Sequence, residues 1–112
     1  MQFDKQELFD ERGEYCECGC GLYAHDAHHC LIPNLKRFSA YLNDPRNIVL
    51  VNHSEHVGLR KFDCPEWRQK FWRRQVQRYG IISMMDFVNG LPDKLRHRLD
   101  FITPLAVPSG KG

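Results

Sequence analysis

A chain of 112 residues is long enough for one compact domain and too short for two self-sufficient ones. With 42% hydrophobic and 27% charged residues it has the composition of an ordinary globular protein, which excludes a disordered chain, and its longest apolar run, residues 48–51, is far too short to cross a bilayer. The net charge of +2 hides an uneven distribution: residues 1–30 hold seven acids against two bases, and residues 60–79 hold seven bases against two acids. A basic block beside a near-neutral total predicts either a local anion-binding face or a solvated helix face.

Residues 3–12 read as a short acidic helix, although Phe3, Leu8 and Phe9 supply few apolar positions. Glycines interleaved with cysteines over residues 15–21 predict a tight knuckle. Residues 23–32 then read as an extended segment ended by Pro33, and Asn34 as the cap of a helix carrying Leu35, Phe38, Tyr41 and Leu42. Asp44-Pro45 closes that helix. Residues 47–51, Asn-Ile-Val-Leu-Val, form the clearest strand in the chain. Asn52 or Ser54 can cap a following helix that holds Glu55, His56 and Leu59.

Pro65 is placed to open a longer helix reaching about Tyr79, with Gly80 as its closing glycine. Trp67, Phe71, Trp72, Val76 and Tyr79 share one half of its circumference, as a core-facing stripe does. A short helix over residues 82–88 should stop at Asn89-Gly90, and Leu91-Pro92 should start another that reaches about Phe101. The tail after Pro104 reads as a frayed end. The fold class expected is α+β, a short two-stranded sheet followed by C-terminal helices, in one domain over residues 1–112.

Five cysteines, three of them in Cys16-Glu17-Cys18-Gly19-Cys20, make an odd total with spacing awkward for disulfides. Free thiols or metal ligands fit better, and both suit a reducing compartment. The acidic first residues lack the basic start and apolar stretch of a secretion signal, so a cytoplasmic location is expected.

Four positions stand out against this order: His28 and His29 late in the first strand, Asn47 opening the second, and His56 early in the helix that follows. Neighbouring residues of a strand point to opposite faces, so one imidazole can bind a metal while the other is aimed elsewhere. The run Ala27-His28-His29-Cys30-Leu31-Ile32-Pro33, then Asn47-Ile48-Val49-Leu50-Val51, then His56 nine positions after Asn47, resembles the HNH family of nucleases. Their ββα-metal unit joins a His-His or acid-His pair to a central Asn and a final His or Asn. The resemblance covers about residues 15–62. Residues 65–103 would be a helical extension, in which the segment 71–80 looks like the helix that follows this unit in small phage-type members.

The resemblance implies that His29 is the general base that activates water, and that Asn47 fixes the loop and orients His29 by hydrogen bonding. It implies that His28 and His56 hold one divalent cation: Mg²⁺, Mn²⁺, Ni²⁺ or Zn²⁺. Asp26, two residues before His28, would be an additional ligand or a hydrogen-bond partner for an imidazole. DNA is the implied partner, in a bacterial or phage-infected cell. Arg68, Lys70, Arg73, Arg74 and Arg78 are the candidates for contacting its backbone. The rival reading is a non-catalytic metal- or nucleic-acid-binding module that keeps the fold; a base at His29 argues against it.

Many HNH proteins also carry a structural zinc on two CxxC pairs, and here the chain departs from them. Its first cluster reads CxCxC, and the second pair would fall at Asn52 and Glu55. A four-thiolate zinc is therefore not expected. Cys16, Cys18 and Cys20 could still bind structural zinc with Cys30, Cys64 or His53 as fourth ligand, or could be free thiols in a glycine-rich turn.

Overall fold

A computed structural model describes residues 3–99. The expected end of the last helix at Phe101 and the tail after Pro104 lie outside the described residues. The chain is α+β, with five α-helices and two strands among the described residues, the strands forming one antiparallel sheet.

Helix α1 (Lys5–Arg12) is capped by Asp4, whose Oδ1 accepts from the backbone N–H of Gln6 at 2.9 Å and of Glu7 at 3.2 Å. Gly13, at φ +93°, ends it. An isolated antiparallel bridge between Tyr15 and Tyr23 closes the base of the cysteine knuckle, and the two rings stack with centroids 5.2 Å apart.

Strand β1 (Asp26–His29) pairs with β2 (Ile48–Val51) in the register Asp26↔Val51, Ala27↔Leu50, His28↔Val49 and His29↔Ile48. Every residue of β2 is buried because both faces of the sheet are covered. Ile48 and Leu50 pack with Leu8 of α1 and with Ala24, whereas Val49 and Val51 join the main core with Leu31, Phe62, Phe71 and Trp72. An unbroken Ile-Val-Leu-Val run is what a strand buried on both sides requires.

β1 is shorter than the extended segment expected over residues 23–32. After His29 the chain leaves the ladder, and the N–H groups of Leu31 and Ile32 both donate to the Asn47 side chain. Asn34 does not cap a helix either. Leu35 precedes a 3-10 turn, Lys36–Phe38, which runs into the single turn of α2 (Ser39–Leu42). Asp44 then caps a second 3-10 turn, Pro45–Asn47. In place of the helix expected around His56 stands one wide turn, Ser54–Gly58, whose entry is held by Asn52 Oδ1 accepting from Glu55 N at 3.2 Å.

Helix α3 (Pro65–Tyr79) starts at the expected proline and ends at Gly80, where φ is +88°. It buries Phe71, Trp72 and Gln75. The Gln75 amide reaches the carbonyls of Pro45, Arg46 and Ile48, pinning the helix across the start of β2. Helices α4 (Ile81–Asn89) and α5 (Asp93–Arg96), followed by a 3-10 turn, His97–Leu99, add Met84, Phe87, Leu95 and Leu99 to the main core. Among the described residues no helix is long and apolar enough to cross a membrane.

Candidate active site

His28 lies on the main-core side of β1, packed against the rings of Phe62 and Phe71 at 5.7 and 6.2 Å between centroids. Its Nδ1 stands 3.1 Å from Nε2 of His56, which the wide turn delivers from the other side. On the far edge of the His56 ring, Nδ1 lies 3.0 Å from Asp26 Oδ2. A carboxylate oxygen only accepts, so Nδ1 of His56 carries the proton and Nε2 presents its lone pair towards His28. The same Asp26 oxygen takes His53 Nδ1 at 2.8 Å.

Burial, reinforced by the neighbouring His56, His29 and Arg68, pushes the His28 pKa down to about 3, which keeps that ring neutral at physiological pH. Burial would raise the pKa of Asp26, but the hydrogen bonds from His56 and His53 outweigh it and hold the carboxyl below its ordinary value. The 3.1 Å separation of the ring nitrogens is a hydrogen-bond distance. It also fits two ligands on one ion, because nitrogens each about 2.1 Å from a shared metal stand about 3.0–3.4 Å apart. Asp26 backs His56 as a carboxylate commonly backs a metal-binding imidazole.

His29 points to the opposite face of β1, where Phe3 meets its ring edge-on at 6.4 Å. Its Nε2 lies 2.7 Å from Oδ1 of Asn43. An amide oxygen cannot donate, so Nε2 carries the proton and Nδ1 is left as the basic nitrogen. His28, His29 and His56 all line one cleft of about 210 Å³, together with Ala27, Pro33, Asn34, Asp63 and Arg68. A larger hollow of about 750 Å³ is bordered by Gln6, Asp10, Glu14, Tyr23 and His25 among others. Its two carboxylates make it a poor seat for a polyanion, and it gathers no comparable set of ring nitrogens.

Comparison with protein-family profiles, curated proteins and solved structures finds no match to this chain.

Asn47 does not orient His29 directly, contrary to the sequence expectation. It is fully buried, and its amide makes four bonds: Oδ1 accepts from Leu31 N and Ile32 N at 3.0 Å each, and Nδ2 donates to Ile32 O at 3.1 Å and Leu42 O at 3.0 Å. It thereby ties the segment after β1 to the end of α2. Asn43, the next residue after Leu42, then holds the imidazole. Asn47 is a bracket whose reach to His29 runs through Asn43.

The basic residues divide in two. Arg68 lines the cleft, Arg73 is exposed on α3, and Lys70 lies 3.9 Å from Glu66 and over the Trp67 ring. Arg74 and Arg78 both turn to Glu17, at 2.9 and 2.5 Å, an engagement that helical spacing did not announce. The Glu17 side chain is 2% exposed and also takes Arg12 at 3.0 Å and the N–H of Leu50 at 2.8 Å. Burial pushes its pKa up, but Arg12, the Leu50 amide, Arg74 and Arg78 more than reverse this, so its carboxyl is held below the ordinary value.

On the opposite side of the same short segment, Cys16, Cys18 and Cys20 converge with Glu55, their ligand atoms all within 4.8 Å of one another. This group could hold a metal ion. None of the expected fourth ligands takes part: Cys30 is fully buried elsewhere in the core, the Cys64 thiol faces the carbonyl of Lys61, and His53 is engaged with Asp26. Glu55 stands there instead, and Lys61 Nζ backs it at 2.9 Å. The hydrogen bond from Cys20, followed by that from Lys61, brings the Glu55 pKa down to about 2.

Sequence reasoning missed Asn43, Lys61 and the part played by Glu55. Only Glu55 left a trace, since it occupies a position where the HNH pattern places a thiol.

Proposed function

We propose that this chain is a metal-dependent DNA endonuclease or nickase built on an HNH-type ββα-metal unit, comprising β1, β2 and the turn that carries His56. The observation that carries the reading is the convergence of three imidazoles with different partners on one cleft: His28 facing His56, with Asp26 behind it, and His29 beside them, with Asn43 behind it.

Among the described residues, those lining the cleft include no serine, threonine or cysteine, so water is the natural nucleophile. His29 Nδ1 takes a proton from that water, and Asn43 holds the ring in the tautomer that makes this nitrogen the base. His28 and His56 are the residues that would hold the divalent cation, and Asp26 fixes the His56 ring. Such an ion supplies positive charge for the scissile phosphate and for the oxygen that leaves. Arg68 adds a fixed guanidinium charge at the same cleft, suited to a phosphodiester backbone.

Supercoiled plasmid incubated with the protein and Mg²⁺, Mn²⁺ or Ni²⁺ tests the proposal. Nicked or linear product that forms with at least one ion and disappears with EDTA supports it. Retained DNA binding with no metal-dependent cleavage by any of the ions would overturn it and favour a binding module.

A further inference from the structure

We propose that Cys16, Cys18, Cys20 and Glu55 bind one zinc ion, which staples the cysteine knuckle to the turn that carries His56. The site is separate from the histidine cluster, and its existence does not depend on the chain being a nuclease.

The geometry is close to that of a tetrahedral site. With Zn–S near 2.3 Å and Zn–O near 2.1 Å, a tetrahedron has S···S edges of about 3.8 Å and S···O edges of about 3.6 Å. Glu55 Oε1 lies 3.6 Å from the Cys16 sulfur and 3.5 Å from that of Cys18, and the two sulfurs are 3.3 Å apart. The Cys16 and Cys18 sulfurs must part by about half an ångström and Cys20, at 2.8 Å from Oε1, must back away somewhat further. Cys20 is exposed and sits between Gly19 and Gly21, at φ +86° and +87°, where a Cβ on either glycine would meet nothing within 4 Å. Backbone bonds from Cys16 N to Leu22 O at 2.7 Å and from Gly19 N to Cys16 O at 3.1 Å preform the loop.

Three thiolates select a borderline-soft ion over Mg²⁺ or Ca²⁺, and a closed four-ligand shell is the structural rather than the catalytic pattern for zinc. Charge agrees with this. Three thiolates and a carboxylate around a dication leave two negative charges, and the Lys61 ammonium stands 2.9 Å from Glu55 Oε2 and 3.6 Å from the Cys18 sulfur. On binding, three S–H bonds break, three Zn–S bonds and one Zn–O bond form, and three protons pass to solvent. No electron is transferred. Because Glu55 immediately precedes His56, the ion also fixes where that imidazole stands.

Cobalt titration of the metal-free full chain under reducing conditions tests this. One equivalent of Co²⁺ should give sulfur-to-cobalt charge-transfer absorption with the visible bands of a tetrahedral ion, and Zn²⁺ should displace it. Cys18→Ser should lose much of the charge-transfer intensity. Glu55→Gln should weaken Zn²⁺ affinity about tenfold or more, whereas Glu55→Cys should keep the tetrahedral spectrum and strengthen its charge-transfer bands. A double His28→Ala and His56→Ala variant should keep the spectrum unchanged. The proposal is overturned if the wild type shows no charge-transfer bands, if they are the same in Cys18→Ser, or if they vanish in the double histidine variant. Failure to cut DNA would leave these outcomes unaffected.

Discussion

Asn43 Oδ1 and His29 Nε2 are fourteen positions apart in the chain and 2.7 Å apart in space. The bond determines which nitrogen of His29 is basic, so under the proposed mechanism its removal should damage proton abstraction without touching the residues proposed to hold the metal. Asn43→Ala should lower the cleavage rate by about 10–100-fold with little change in metal affinity. Asn43→Asp, which keeps an acceptor at the same place, should recover most of the rate. Equal damage from both variants would mean that the side chain acts only in folding.

Asn47 should behave differently. Replacing it with Ala leaves the amides of Leu31 and Ile32 and the carbonyls of Ile32 and Leu42 without their partner in a fully buried place. A loss of about 3–5 kcal/mol is expected from several stranded buried groups, read as a lower urea midpoint. A midpoint close to that of the wild type would show that the bracket is dispensable.

The arginines of α3 should separate by phenotype. Arg74→Ala and Arg78→Ala each remove a partner of buried Glu17, and Glu17→Gln removes the anion from all three arginines at once. Breaking a buried ion network from one side costs about 3–5 kcal/mol, so Glu17→Gln should be strongly destabilising, with the two arginine variants milder. Arg68→Ala and Arg73→Ala should leave the midpoint near that of the wild type. Each should weaken DNA binding and make the salt dependence shallower by about one counterion. A DNA defect confined to Arg74 and Arg78 would reverse this assignment.

The contrast shows what was legible in the sequence. α3 was readable because proline, an aromatic stripe and Gly80 all speak about one helix, and β2 because four consecutive apolar residues admit few alternatives. The fates of Arg74 and Arg78 were not readable, since helical spacing says which side a residue occupies and nothing about a carboxylate from residue 17 meeting it there. The histidines and Asn47 stood out by type and spacing. Asn43 did not, because an asparagine before Asp44-Pro45 looks like any turn residue. Glu55 was misleading in another way. Counted against a thiol pattern it is a gap, yet its carboxylate oxygen lies within 4.8 Å of the three cysteine sulfurs.

Acid should expose the part played by Asp44. Burial would raise its pKa, but the hydrogen bonds from the Arg46 side chain and backbone, and the Arg46 charge, hold it below its ordinary 3.8. A carboxyl with a depressed folded pKa binds its proton more readily in the unfolded chain. Its contribution is therefore complete above the ordinary value and is lost as pH falls through the depressed one. Asp44→Asn, which keeps the cap but not the charge, should cost about 1 kcal/mol at neutral pH, because Asp44 is buried but its Arg46 partner is partly exposed. Urea titrations of both proteins should show the gap closing as pH falls below the carboxylate range; a gap that widens in acid would contradict the assignment.

The most direct test of the central claim is single-turnover cleavage of plasmid DNA by His29→Ala, with Mn²⁺ occupancy followed in parallel by paramagnetic resonance. Loss of a base that stands outside the proposed metal ligands should lower the rate by about 10²–10⁴-fold while Mn²⁺ binding stays at the wild-type level. Cleavage at the wild-type rate with the ion bound would contradict the account.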